Sequence, residues 1–313
     1  MFSRHVRLGN LVLINSLLVL AFISVWLYSS KYGNYQAFVL SFSGMKFKQI
    51  QTPLLEVRKL RDRFKLPGLY IKDESEQTHG TWKDRRSKLI IERALSEGVT
   101  TLVLITSGNA GYSLAKLAQG TGLKVVLVVD WRISPVLKNK LRDVCFRLVE
   151  QDLSSHFFTS KELISFTQLD PRETIWDVTN GFTEAYESVI TELKSSSPDY
   201  IICPVGSGEG FIGLSNGIKK HRLRTRLIGV TPSAQESVAD KLTARWTPYA
   251  DMIVSSGNIL LRISEEVIED AHSLATEHLS CEPSSAIVFA SLKSLKFEKD
   301  ERMVSRNTGN GSK

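Results

Sequence analysis

Disulfide and zinc chemistry find no footing in this sequence. Its three cysteines, Cys145, Cys203 and Cys281, are odd in number, far apart and without CxxC spacing. That excludes a disulfide framework and a cysteine-based zinc site, and makes a reducing compartment, the cytoplasm, the simplest home for the catalytic part. The six histidines form no metal set either: the nearest two, His272 and His278, are six residues apart and lie on different faces of a helix. No metal is expected. A dense basic stripe interleaved with aromatics is also missing, so nucleic acid is not an expected partner. The formal charge of +7 is less telling than it looks, because Arg4, Arg7 and Lys31 stand in 44 amino-terminal residues that contain no acid. From Met45 onward 37 bases face 33 acids, a net +4. Repeats and low-complexity tracts are absent. With 23% charged and 42% hydrophobic residues, the 313-residue chain can build one large α/β unit or two modest domains.

What is present begins with 18 uncharged residues, Leu11 to Tyr28 (LVLINSLLVLAFISVWLY). That run approaches the roughly 20 residues a bilayer crossing needs and exceeds the roughly 7–15 of a signal-peptide core. Residues 1–44 are therefore expected to be a hydrophobic leader or membrane anchor. Lys31, Lys46 and Lys48 oppose Arg4 and Arg7 and leave its orientation open. A second account is that Met45 opens a soluble protein, MKFKQIQTPLLEV, with an upstream extension of the reading frame before it.

From Thr52 onward short apolar runs alternate with helical patterns, the signature of a sheet covered by helices. Strands are predicted at Leu69 to Lys72, Thr101 to Thr106, Lys124 to Asp130, Thr174 to Val178, Tyr200 to Val205 and Arg226 to Thr231. TLVLIT runs into SGNAG and YIICPV into GSGEG, each followed by a helical pattern. In a parallel sheet, ligands collect beyond such strand ends, where helix amino-termini offer free N–H groups to anions. Gly206-Ser207-Gly208-Glu209-Gly210 can bring several amides to a phosphate. It is neither a Walker loop nor a good GxGxxG. In THGTWKDRRS, Lys83 follows a small-residue turn and opens a helix, where the helix dipole disfavours a solvated cation; a desolvated amine kept for nucleophilic or proton-transfer work is the alternative.

Taken together, these segments resemble fold-type II pyridoxal-phosphate enzymes, the group of threonine synthase, cysteine synthase and the serine/threonine dehydratases, with threonine synthase the nearest in pattern. QTHGTWKDR resembles NPTGSFKDR, SGNAG matches SGNAG or SGNHG, PVGSGEG resembles the glycine-rich phosphate loop, CEPSSA matches EPSSA, and RNTGNGSK resembles the terminal TGxGLKD. The resemblance implies a two-domain α/β fold of the tryptophan synthase β type with parallel-rich sheets. Residues 45–88 and 168–313 would form the larger, cofactor-binding domain, and residues 89–167 a smaller domain that closes on it. It implies that Lys83 bonds covalently to the aldehyde of pyridoxal 5'-phosphate and shuttles the substrate α-proton. Asn109 would meet the cofactor's ring hydroxyl oxygen. Gly206, Ser207, Gly208 and Gly210, with the backbone N–H of Glu209, would hold its phosphate. Thr308 would meet the pyridine nitrogen. Ser107, Gly108 and Ala110 would receive the carboxylate of a small amino-acid substrate, although the same turn can simply cap the next helix.

The implied activity is β/γ-elimination and replacement, converting O-phosphohomoserine to threonine. A serine/threonine dehydratase, a cysteine-synthase-like enzyme and a cofactor-binding pseudoenzyme with a membrane anchor stand as alternatives. Family members commonly form homodimers. Gln77 and Thr78 stand where the family has Asn-Pro, and His79 replaces a Thr. Glu209 puts a carboxylate in the phosphate loop, where it would repel the cofactor unless it points outward or meets a base. Pro283, Ser284 and Ser285 are expected to cap the next helix. Asp73, Glu74, Arg85 and Arg86 are expected to form structural ion pairs.

Overall fold

A computed structural model describes residues 46–170, 172–243 and 247–311. In chain order its strands are β1 (Leu54–Leu55), β2 (Leu69–Asp73), β3 (Thr101–Ile105), β4 (Lys124–Asp130), β5 (Arg147–Gln151), β6 (Ile175–Asp177), β7 (Tyr200–Pro204), β8 (Arg226–Pro232), β9 (Ile259–Ile263) and β10 (Met303–Asn307). The helices are α1 (Arg58–Phe64), α2 (Lys83–Ser96), α3 (Asn109–Ala118), α4 (Pro135–Arg142), α5 (Ser160–Phe166), α6 (Glu187–Leu193), α7 (Glu209–Lys220), α8 (Ala250–Ser255), α9 (Glu265–Thr276) and α10 (Pro283–Leu292). The expected span Leu11 to Tyr28 lies outside the described residues. Among those, no helix is long and apolar enough to cross a membrane.

Two sheets result. The larger runs β1-β2-β10-β7-β8-β9, parallel except for the β1–β2 pair, and the smaller runs β5-β4-β3-β6, parallel throughout. The chain has the α/β architecture with parallel-rich sheets expected from its alternating pattern. TLVLI and KVVLVVD lack polar alternation because helices cover both faces of a parallel sheet. β6 pairs with β3, Ile175 opposite Thr101, so the smaller sheet extends past residue 167. Ile90, Ile91, Ala94 and Leu95 of α2 pack into its core, so this helix starts at the larger sheet and ends in the smaller one. Each such buried aliphatic side chain contributes about 1.5–3 kcal/mol.

The six predicted strands are all present, and β1, β5, β9 and β10 are strands outside that prediction. β10 is the instructive case. Its sequence is MVSRN, yet it lies between β2 and β7 with Ser305, Arg306 and Asn307 all at 0% exposure. The larger core gathers around α10, which is buried nearly all round, as a helix apolar on every side must be.

Buried charges tie the chain's distant parts together. Arg85 meets Glu74 at 2.7 Å and Glu192 at 2.6 Å, and Lys72 meets Glu192 at 2.5 Å. Arg86 pairs with Glu209 at 2.7 Å. Asp73 departs from the expected ion pairing: it accepts from Ser75 Oγ at 2.6 Å and from Asn307 Nδ2 at 2.8 Å, joining β2 to β10.

Candidate active site

β2 ends at Asp73, and residues 74–82 turn to deliver Lys83 as the first residue of α2. The turn is held from the far end of the sequence: Trp82 N donates to Thr308 O at 3.0 Å, Asn310 N donates to Gly80 O at 3.2 Å, and Thr81 bridges to Gly309. THGTW and TGNG, more than 220 residues apart, thus form one structural unit. Lys83 lines a cavity of about 1130 Å³ beyond the carboxyl ends of β3, β4, β6 and β7. Its Nζ lies 5.3 Å from the Trp82 ring centroid and 5.7 Å from that of Tyr186. Burial pulls its pKa from 10.5 to about 8; the Glu209 carboxylate opposes this shift, and the Arg86 and Arg306 charges reinforce it.

The turn after β3 is shaped by Thr106, whose Oγ1 accepts from the N–H groups of Gly108 and Gly111, each at 3.0 Å. Ser107, Asn109 and Ala110 line the cavity. Gly108 does not line it: it sits behind them as the amino cap of α3 with φ of +139°, and a Cβ there would stand 3.3 Å from Leu137 Cδ2. Asn109 Nδ2 donates to Glu282 Oε1 at 2.9 Å, and Glu282 Oε2 meets Lys241 Nζ at 3.1 Å. Glu282 and Lys241 both line the cavity, and sequence reasoning missed them. Glu282 is legible in CEPSSA, where only a helix start was read; Lys241, in the connection after β8, has no signature.

The turn after β7 brings Gly206, Ser207, Gly208, Glu209 and Gly210 to the cavity wall at the start of α7, whose first-turn N–H groups have no partner within the helix. Gly208 takes φ of +93°, and a Cβ on it would come within 2.6 Å of Ile253 Cδ1. Gly208→Ala is expected to lower the unfolding free energy by about 1–2 kcal/mol through the left-handed backbone alone, read from urea denaturation. Glu209 meets a base, Arg86, and its Oε1 also accepts from Phe182 N at 3.0 Å and Tyr249 Oη at 3.4 Å.

Thr308 lines the cavity too, its Oγ1 2.8 Å from Ser285 Oγ. Here the capping expectation is corrected. Pro283 does open α10, but no side chain caps it; Ser285 instead reaches the terminal loop, with Oγ 3.1 Å from Gly309 O and donated to by Thr308 N at 3.2 Å.

A family model described as pyridoxal-phosphate dependent enzyme matches residues 46–309. The chain belongs to this family. Among solved structures it resembles a threonine deaminase from T.th., at 20% identity over 90% of this chain and 99% of that one, with a TM-score of 0.71. It also resembles maize serine racemase, at 18% identity over 84% and 89%, TM-score 0.71. A third is the O-acetylserine dependent cystathionine beta-synthase of Helicobacter pylori, at 19% identity over 85% and 96%, TM-score 0.72. At these identities the likeness is one of fold, and the fold is that of the fold-type II enzymes.

The family's cofactor is pyridoxal 5'-phosphate, and the residues present suit it. A desolvated amine on Lys83 can react with an aldehyde. The glycine turn at the start of α7 can receive a dianion, because its one acid, Glu209, is bound to Arg86. Gly210 permits this packing: a Cβ on it would fall 2.0 Å from the Trp82 ring, beside Lys83.

Proposed function

We propose that this family member is a lyase that expels a leaving group from the β or γ carbon of a small α-amino acid, acting on O-phosphohomoserine in the manner of threonine synthase. The Thr308 hydroxyl supports the elimination chemistry of this reading: it is neutral, lines the cavity and lies 2.8 Å from Ser285 Oγ; the order of the sequence motifs points to O-phosphohomoserine. A neutral partner at the pyridine nitrogen favours elimination and replacement over transamination. Bound pyridoxal phosphate supplies the electron sink. The chain's own residues do the rest. The Lys83 amine, a free base as pH rises through about 8, takes the proton from the substrate α carbon and hands one back at the end. Ser107 and the N–H groups opening α3 receive the substrate carboxylate. The 206–210 turn anchors the cofactor phosphate, and closure of the smaller sheet with its helices over the cavity excludes bulk water, the one water admitted adding its OH at the β carbon after phosphate leaves from the γ carbon.

A second reading, elimination of water from serine or threonine, draws on the charges of the cavity. Among the described residues lining it, Arg86 is engaged by Glu209, Arg132 by Asp130 and Asp152, and Lys241 by Asp240 and Glu282. A substrate without a phosphate of its own asks for no further cation. A panel of O-phosphohomoserine, serine, threonine and O-acetylserine separates the two. Threonine and phosphate from the first supports the first reading; a 2-oxo acid and ammonia from serine or threonine supports the second. A cofactor-loaded protein that turns over none of them sinks both and leaves the pseudoenzyme.

A further inference from the structure

We propose that Arg306 is a positioning residue for Lys83: its fixed charge, set over the same indole that meets the lysine, disfavours a second cation in that aromatic enclosure and adds to the effect of burial in easing loss of the Lys83 proton. This rests on the reading of Lys83 as the cofactor lysine. Arg306 belongs to β10, in the middle of the larger sheet, and is 0% exposed. Among the described residues none of its three guanidinium nitrogens has a hydrogen-bond partner. Burying an unpaired charge costs several kcal/mol, and an apolar side chain of similar volume would be favoured there on stability alone. Burial does not neutralise it, because a guanidinium keeps its proton.

Its surroundings show where the charge acts. The Arg306 guanidinium carbon lies 4.3 Å from the Trp82 ring centroid, and the Trp82 and Tyr186 rings lie 4.4 Å apart, tilted by 41°. Lys83 Nζ sits over both rings. The charges facing Lys83 are Glu209 and Glu282, which favour its proton, and Arg86 and Arg306, which oppose it. Arg86 and Glu209 largely cancel at 2.7 Å. Glu282 is engaged by Lys241. Arg306 faces Glu74, Arg85, Cys203 and Tyr186; Glu74 is the acid among them, and its carboxylate is held by Arg85 at 2.7 Å. Of the four charges around Lys83, that of Arg306 is the one without an ion-pair partner at contact distance, so its field reaches the amine least diminished.

The test is competitive acetylation of Lys83 across pH in the full chain stripped of cofactor with hydroxylamine, read by mass spectrometry on its peptide. The wild-type midpoint is expected near pH 8. Arg306→Met, of similar length and neutral, is expected to move it up by about one unit and to slow capture of added pyridoxal phosphate at pH 7 by about tenfold, with no loss of thermal stability. Arg306→Gln repeats the measurement with a polar neutral group. A midpoint that stays in place in a folded variant overturns the proposal. So does failure of both variants to fold, which would make Arg306 structural. The labelling is done on the cofactor-free chain, where Lys83 is a free side chain: a wild-type chain that captures no pyridoxal phosphate sinks the functional reading, while the labelling midpoint still judges this one.

Discussion

Lys83→Ala is expected to abolish the visible absorbance of the purified protein and to cut kcat/KM at least about 10³-fold, roughly 4 kcal/mol of transition-state stabilisation. The two roles proposed for it disappear together, the covalent hold on the cofactor and the proton transfer at the substrate α carbon, and no neighbour can supply them. Arg86 is committed to Glu209, and a guanidinium such as that of Arg306 is no base. Lys241, the next amine on the cavity wall, is committed to Asp240 and Glu282, which hold its pKa above the usual lysine value although burial alone would lower it. A free base is wanted, and Lys241 is a poor one. Absorbance and steady-state rates of wild type and variant decide the matter; a colourless wild type, or a variant that keeps both colour and rate, removes the proposed chemistry.

Arg86→Leu is expected to cost about 3–5 kcal/mol of unfolding free energy and most of the bound cofactor. The substitution strands the Glu209 carboxylate, 2% exposed, in the turn proposed to receive the cofactor phosphate. Phe182 N and Tyr249 Oη still donate to it, but neither brings a positive charge. The pair is better explained as one compensated unit than as two separate residues. The double variant Arg86→Leu with Glu209→Gln removes both charges and should recover most of the loss, because replacing a buried ion pair as a whole is far less costly than breaking it. Urea denaturation and the absorbance per chain measure the two effects. Equal losses in the single and double variants would mean that Arg86 acts through its contact with the Val178 carbonyl instead.

The departures from the family pattern are legible in the sequence only as problems. Glu209 reads as a repulsive charge because its remedy, Arg86, lies 123 positions earlier in the chain. Asn109 and Glu282 are each visible in their own motif, but their hydrogen bond appears only when the starts of α3 and α10 meet at one cavity. Ser285, which local reasoning assigns to a helix cap, is drawn to Thr308 by a tertiary contact that outcompetes the local one.

The sequence by itself determined the layered α/β fold and six of its strands, and it singled out the lysine and the two glycine-bearing turns that the fold brings to one cavity. Each rests on short-range physics: apolar runs long enough to be buried strands, and turns that need glycine. Tertiary structure alone decided that MVSRN is a central strand, that Arg306 lies beneath Trp82, and which carboxylate neutralises which cation around Lys83. Burial of polar and charged groups leaves no periodic trace in a sequence, since whether such a group is tolerated depends on partners brought from elsewhere in the fold.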